Sequence, residues 1–151
     1  MIDTTSKETP TPDLLETHVV MVVDDDANTL SALRRALAPE PYFVVTSEHP
    51  KLALQWIPRR NVSVVISDRR MPEMMGDRFL REVRQSSPRS ILLLLTAYPE
   101  EVLEPPYVTV LSKPWDDKTL RKTVRRLLRE REEKSQLGPD PEANAPPSPE
   151  A

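Results

Sequence analysis

Along this chain, short runs of β-branched and leucine residues alternate with segments whose apolar positions return every three or four residues. That alternation predicts strands separated by helices, and strands so separated pair in parallel. The first run, His18 to Val23, is apolar on both faces after the histidine, as a central strand covered from both sides requires. From Ala27 to Leu37, the residues Leu30, Leu33, Ala36 and Leu37 keep helical spacing, and Pro39 stops the helix. A second strand, Tyr42 to Thr46, leads to a short helix from Lys51 to Ile57 that Pro58 closes. The third strand, Val62 to Ser67, ends at Asp68, and a helix from about Asp77 to Gln85 carries Phe79, Leu80 and Val83 on its inner face. Ile91 to Leu95 is the apolar fourth strand. Only twelve residues separate it from the fifth, Val108 to Leu111, and Pro99, Pro105 and Pro106 are among them. A fourth helix there is short or missing. The last helix, Asp116 to about Lys134, buries Leu120, Val124, Leu127 and Leu128 and runs on into an exposed charged stretch.

The two ends depart from this pattern. Residues 1–17 and the final residues from Gly138 hold seven of the seventeen prolines and few large apolar groups, too little to offset the entropy of ordering. They divide the chain into a flexible N-terminal tail (1–17), a domain (18–134) and a flexible, acidic, proline-rich C-terminal tail (135–151). The net charge of -3 conceals this division, because residues 18–137 hold 20 Lys+Arg against 17 Asp+Glu and both ends are acidic. So mild a basic excess gives no argument for nucleic acid. The cations of the last helix, Arg121, Lys122, Arg125, Arg126 and Arg129, suit its dipole and a solvated face. No apolar run is long enough to span a bilayer, and residues 1–17 lack the features of a signal peptide, so a cytoplasmic location without membrane contact is expected. The absence of cysteine excludes thiol nucleophiles and thiolate metal sites.

Candidate chemistry gathers at one edge of the expected sheet. In an open doubly wound sheet, ligands sit beyond the carboxyl ends of the strands. The first strand ends in Asp24, Asp25 and Asp26, the third in Asp68, the fourth in Thr96 and the fifth in Lys113. With five strands in the flavodoxin-like order 2-1-3-4-5, the first and third are neighbours and their carboxylates converge. Asp26 is better suited to cap the first helix than to bind metal. The remaining carboxylates, without His or Cys, favour Mg²⁺ over zinc. A hydroxyl from Thr96 and an ammonium from Lys113 complete a set able to hold the oxygens of a phosphoryl group in transit, with Asp68 as nucleophile. The plainer alternatives are Asp24 and Asp25 as solvated turn residues, Asp68 as a loop-start residue and Thr96 as partner of a backbone group. His18 and His49 have no partner in the sequence pattern and are expected to be structural.

The segments VVMVVDDDANTLSALRRAL, VVISDRRMPEMMGDRFLREVR, ILLLLTAY and VLSKPW together resemble the receiver domain of bacterial two-component response regulators. The resemblance implies that Asp68 is the phosphorylated aspartate, that Asp24 and Asp25 bind Mg²⁺ with Asp68 and the backbone carbonyl of Arg70, and that Thr96 and Lys113 sense the phosphate. It also implies a cis peptide between Lys113 and Pro114. SKPW further resembles receivers that accompany cyclic-dinucleotide phosphodiesterase domains. Three features depart from the family pattern. Val110 stands where an aromatic switch residue is usual, the EVLEPPY segment shortens the fourth helix, and Met75 replaces a common aspartate before Gly76.

The function these features imply is a stand-alone phosphoacceptor, not an enzyme beyond self-catalysed phosphorylation and dephosphorylation. A sensor histidine kinase or phosphotransfer protein is the expected donor and a downstream protein the target, the seventeen residues after Lys134 being too few for an output domain. Arg70 and Tyr98, beside the site, are candidates for tuning its access. One alternative is a receiver-like interaction module indifferent to phosphorylation, motivated by Val110. Another is an aspartyl-phosphate hydrolase, which would want a second acid two residues after the nucleophile, where Arg70 stands.

Overall fold

The computed structural model describes residues 17–102 and 107–136, with side chains through Glu133. Both expected tails, apart from Thr17 and the helical residues up to Gln136, lie outside the described residues, as do residues 103–106 of the proline-rich segment. The elements are β1 (Val19–Val23), α1 (Ala27–Leu37), β2 (Phe43–Ser47), α2 (Pro50–Trp56), β3 (Val64–Asp68), α3 (Gly76–Ser86), β4 (Ile91–Thr96), β5 (Val108–Ser112) and α4 (Asp117–Gln136). All strands are parallel in the order β2-β1-β3-β4-β5, the doubly wound arrangement expected.

Two apolar layers hold the sheet. On one face Leu30, Leu33 and Leu37 of α1 and Leu120, Val124, Leu127 and Leu128 of α4 pack over Val20, Val22, Ile66 and Leu93. On the other, Ala53 of α2 and Phe79, Leu80 and Val83 of α3 cover Met21, Val65, Leu92 and Leu94. Because successive strand residues point to opposite faces, β1 and β4 are apolar at almost every position, and β3 is so up to Ile66, before the buried Ser67 and Asp68. β5, at the edge of the sheet, is only half-buried.

Several boundaries differ from the sequence expectation. His18 precedes β1 instead of opening it, since the ladder begins at Val19 opposite Phe43 and the imidazole is engaged by side chains. Pro58 does not close α2 abruptly. It lies in a 3-10 turn, Ile57–Arg59, whose ring-compatible geometry lets Ile57 stay buried. Where a fourth helix was in question, the described residues hold one 3-10 turn, Pro99–Glu101. The exposed charged stretch expected after Leu128 is in part anchored: His18 bonds Glu132 at 2.8 Å and Ser63 at 2.6 Å, and Arg131 bonds Asn61 at 2.9 Å. Nor is the cationic face of α4 wholly solvated, for Arg121 donates to the Ala36 carbonyl at 2.8 Å and Arg125 to Glu40 at 2.5 Å. Among the described residues no helix is long and apolar enough to cross a membrane.

Candidate functional site

The carboxyl edge of β1, β3, β4 and β5 carries the polar residues of interest, and the backbone fixes each. The Asp24 amide donates to the Ser47 carbonyl at the end of β2, the Arg69 amide to Leu95 of β4, and the Lys113 amide to Thr96. These bonds, 2.8–3.1 Å long, tie the strand ends into one frame. Asp26 caps α1 as expected, accepting from the Asn28 amide at 2.9 Å and the Thr29 hydroxyl at 3.1 Å. The peptide between Lys113 and Pro114 is cis.

Asp24, Asp25 and Asp68 each bring a carboxylate oxygen within 4.8 Å of the others. Asp24 is 2% exposed and Asp68 9%, so two like charges meet out of water. The Lys113 ammonium is ion-paired with Asp68 Oδ1 and lies 3.9 Å from Asp24 Oδ2. One cation for three carboxylates leaves an imbalance. Asp24 Oδ1 accepts the Asp26 amide at 2.9 Å, but Oδ2 is buried and accepts no hydrogen bond. Burial pushes the Asp24 carboxyl up to about 6; the Asp26 N–H opposes this and the Asp68 charge adds to it. An orphaned, buried carboxylate oxygen in an all-oxygen cluster suits a small hard cation, and Mg²⁺ is the metal whose chemistry these donors fit.

Thr96, 3% exposed, stands at the end of β4, and its hydroxyl oxygen accepts the Tyr98 amide at 3.0 Å. That backbone role was the plain alternative for Thr96, and it leaves the hydroxyl proton free for an incoming oxygen. Arg70 and Tyr98 meet beside the cluster, the guanidinium 5.9 Å from the ring centroid. Val110, on β5 opposite Leu94, is half-buried.

Glu101 and Asp77 escaped the sequence reading. Arg69 is 3.2 Å from Glu101 and 3.8 Å from Asp77, and Arg70 is 3.6 Å from Glu101. The 3-10 turn is thereby clasped to the residues that follow Asp68. A glutamate in a proline-rich stretch gives no periodic signal, so only the folded chain exposes this link.

A five-stranded parallel sheet of this order, with an acidic cluster, a threonine and a lysine at its carboxyl edge, defines a phosphoryl-signalling receiver. The chain belongs to the response regulator receiver domain family, whose model matches residues 20–125. Among curated relatives, it is 34% identical over 115 residues to the hydrogenase transcriptional regulatory protein HoxA of Cupriavidus necator, covering 72% of this chain and 24% of that protein. It is 34% identical over 110 residues to the transcriptional regulatory protein GlrR of Escherichia coli, covering 70% of this chain and 25% of that one. The chain thus spans about a quarter of the length of these relatives. Among solved structures, the signal receiver domain of an HD domain-containing protein from Pseudomonas fluorescens has a TM-score of 0.69 at 28% identity, covering 83% of this chain and 97% of that one. The response regulator TrrA of Thermotoga maritima, solved in complex with Mg(2+)-BeF, has a TM-score of 0.67 at 28% identity, covering 74% and 100%.

Proposed function

We propose that residues 18–134 act as a phosphoacceptor in which Asp68 takes a phosphoryl group from a phosphohistidine. A carboxylate oxygen of Asp68 attacks phosphorus, the P–N bond of the donor breaks, and the imidazole leaves with the bonding pair and takes up a proton. Asp24, Asp25, Asp68 and the Arg70 carbonyl would hold Mg²⁺, which when bound neutralises the carboxylates and the incoming oxygens. Lys113 supplies a fixed positive charge for the phosphoryl oxygens, and Thr96 a hydroxyl donor. The observation that carries this reading is the convergence of three carboxylates on one lysine, with a buried Asp24 oxygen left unsatisfied.

The donor is a sensor histidine kinase or phosphotransfer protein in the cytoplasm, and the output is contact with a protein target. Phosphoramidate, whose P–N bond shares the chemistry of phosphohistidine, tests the step. With Mg²⁺ it is expected to give a hydroxylamine-sensitive adduct, the mark of an acyl phosphate. A hydroxylamine-resistant adduct would contradict the assignment to an aspartate.

In this reading Arg70 and Tyr98, whose guanidinium and ring centroid lie 5.9 Å apart, limit the access of water to the acyl phosphate. Arg70→Ala and Tyr98→Ala are each expected to speed loss of the phosphoryl group severalfold, measured as decay of the modified mass. Rates equal to wild type would remove both residues from the site. Val110 and the 3-10 turn Pro99–Glu101, found where a fourth helix is usual, favour a second reading, in which partner binding is indifferent to phosphorylation. It predicts that Asp68→Asn leaves partner affinity unchanged, whereas the phosphoacceptor reading predicts that only the phosphorylated wild type gains affinity.

A further inference from the structure

A second concentration of charge lies at the opposite end of the sheet. β3 and β4 are neighbours, so the segments leading into them lie side by side on the amino-terminal edge, and the last turns of α4 reach both. Arg59, Arg60, Arg89 and Arg131 line one cleft there of ≈ 470 Å³, with Asn61 and Ser87. Four guanidiniums in one small cleft repel each other unless an anion joins them.

Among the described residues no carboxylate lies within 4.0 Å of any of the four, whereas Arg69, Arg78, Arg125 and Arg126 each hold one. Glu132, the acid next to Arg131 in the chain, is turned to His18 Nε2 at 2.8 Å. Two of the basic side chains, Arg131 and Arg60, are also held in place. Arg131 donates from Nε to the Arg89 carbonyl at 3.0 Å and from Nη2 to Asn61 Oδ1 at 2.9 Å, which braces the two loops against each other. Arg60 lies over the Trp56 ring, 5.1 Å from its centroid. Burial, and then the Arg89 charge, depress the Arg131 pKa below the usual guanidinium range, with the nearby Glu132 charge opposing them in part.

We propose that this cleft binds the phosphate chain of a small molecule, either an inorganic pyrophosphate or a nucleoside di- or triphosphate. A guanidinium presents paired N–H groups that fit two oxygens of one phosphate. Tetrahedral phosphates offer oxygen edges in several directions, so arginines arriving from three segments can each take one. A planar carboxylate cannot serve them all. The volume exceeds that of one phosphate ion and falls in the range of small-ligand sites. The site is independent of Asp68 and needs no metal.

The test is a heteronuclear NMR titration of the full chain, in chelator and at matched ionic strength, with pyrophosphate, ADP or citrate. Pyrophosphate is expected to give saturable shifts at the Asn61, Ser87 and Arg89 amides. Arg59→Gln and Arg89→Gln, both at exposed positions, should each weaken binding about tenfold with the remaining spectrum intact. ADP binding more tightly than pyrophosphate would identify a nucleotide, and equal binding the phosphate chain alone. No saturable shift at these amides, citrate binding as tightly as pyrophosphate, or undiminished binding in both folded variants would overturn the proposal.

Discussion

Asp24→Asn is expected to raise the unfolding temperature of the metal-free protein by roughly 8 °C at neutral pH while abolishing its response to Mg²⁺. Asparagine keeps the oxygen that accepts the Asp26 amide and removes a charge that is buried beside Asp68. The sign follows from the titration. The Asp24 carboxyl titrates at about 6 in the fold against 3.8 in an open chain, so between those values the native state binds more protons than the unfolded one. Wild-type stability therefore falls as pH rises through that interval, and the full penalty, about 3 kcal/mol from the shift alone and about 2 kcal/mol after screening by solvent at the mouth of the cluster, is present above it. The variant lacks the Asp24 part of that slope. Metal binding has the opposite dependence, since protons compete for Asp24: Mg²⁺ affinity should climb with pH and level off above about 6. Thermal melts in chelator and in Mg²⁺, across the same interval, measure both. A variant that melts no higher than wild type in chelator at neutral pH would contradict the cost of burying the Asp24 charge, to which Asp68 adds, on which the reading of the metal site rests.

Gly76→Ala is expected to lower stability by about 3 kcal/mol and to remove phosphoryl acceptance with it. A Cβ at this position would collide with the Asp68 carbonyl oxygen and approach the Arg69 Cα to 2.9 Å. Neither is a flexible side chain that can turn aside. The Gly76 amide also donates to the Arg69 carbonyl at 2.7 Å, so α3 begins pressed against the segment that carries Asp68. Accommodating a methyl group means moving the helix start or the backbone at Asp68. Chemical denaturation of wild type and variant gives the stability change. An alanine variant with wild-type stability would show that this contact is loose.

Most of the fold was legible because buried parallel strands advertise themselves. Val19–Val23, Val64–Asp68 and Ile91–Thr96 are apolar on both faces, and α1 and α3 carry apolar residues at helical spacing beneath polar surfaces. The ends of elements were less legible, because His18, Pro58 and Thr96 are placed by long-range bonds or packing that local pattern does not encode. The cluster was readable for a related reason. Asp24 and Lys113 follow strands and Asp68 and Thr96 end them, so topology alone brings them to one edge. Glu101, the clasp of Arg69 and Arg70, and the contacts of Arg131 and Glu132 with the base of the sheet were hidden, since each joins residues 31 or more apart through charges that look solvated in sequence.

Phosphoryl acceptance by Asp68 is tested most directly by the intact mass of the full chain after incubation with acetyl phosphate, with and without Mg²⁺, in wild type and Asp68→Asn. The account predicts a gain of one phosphoryl group that requires Mg²⁺ and is absent from the variant. A folded wild-type protein that gains nothing, or an Asp68→Asn variant that gains the same mass, would contradict it.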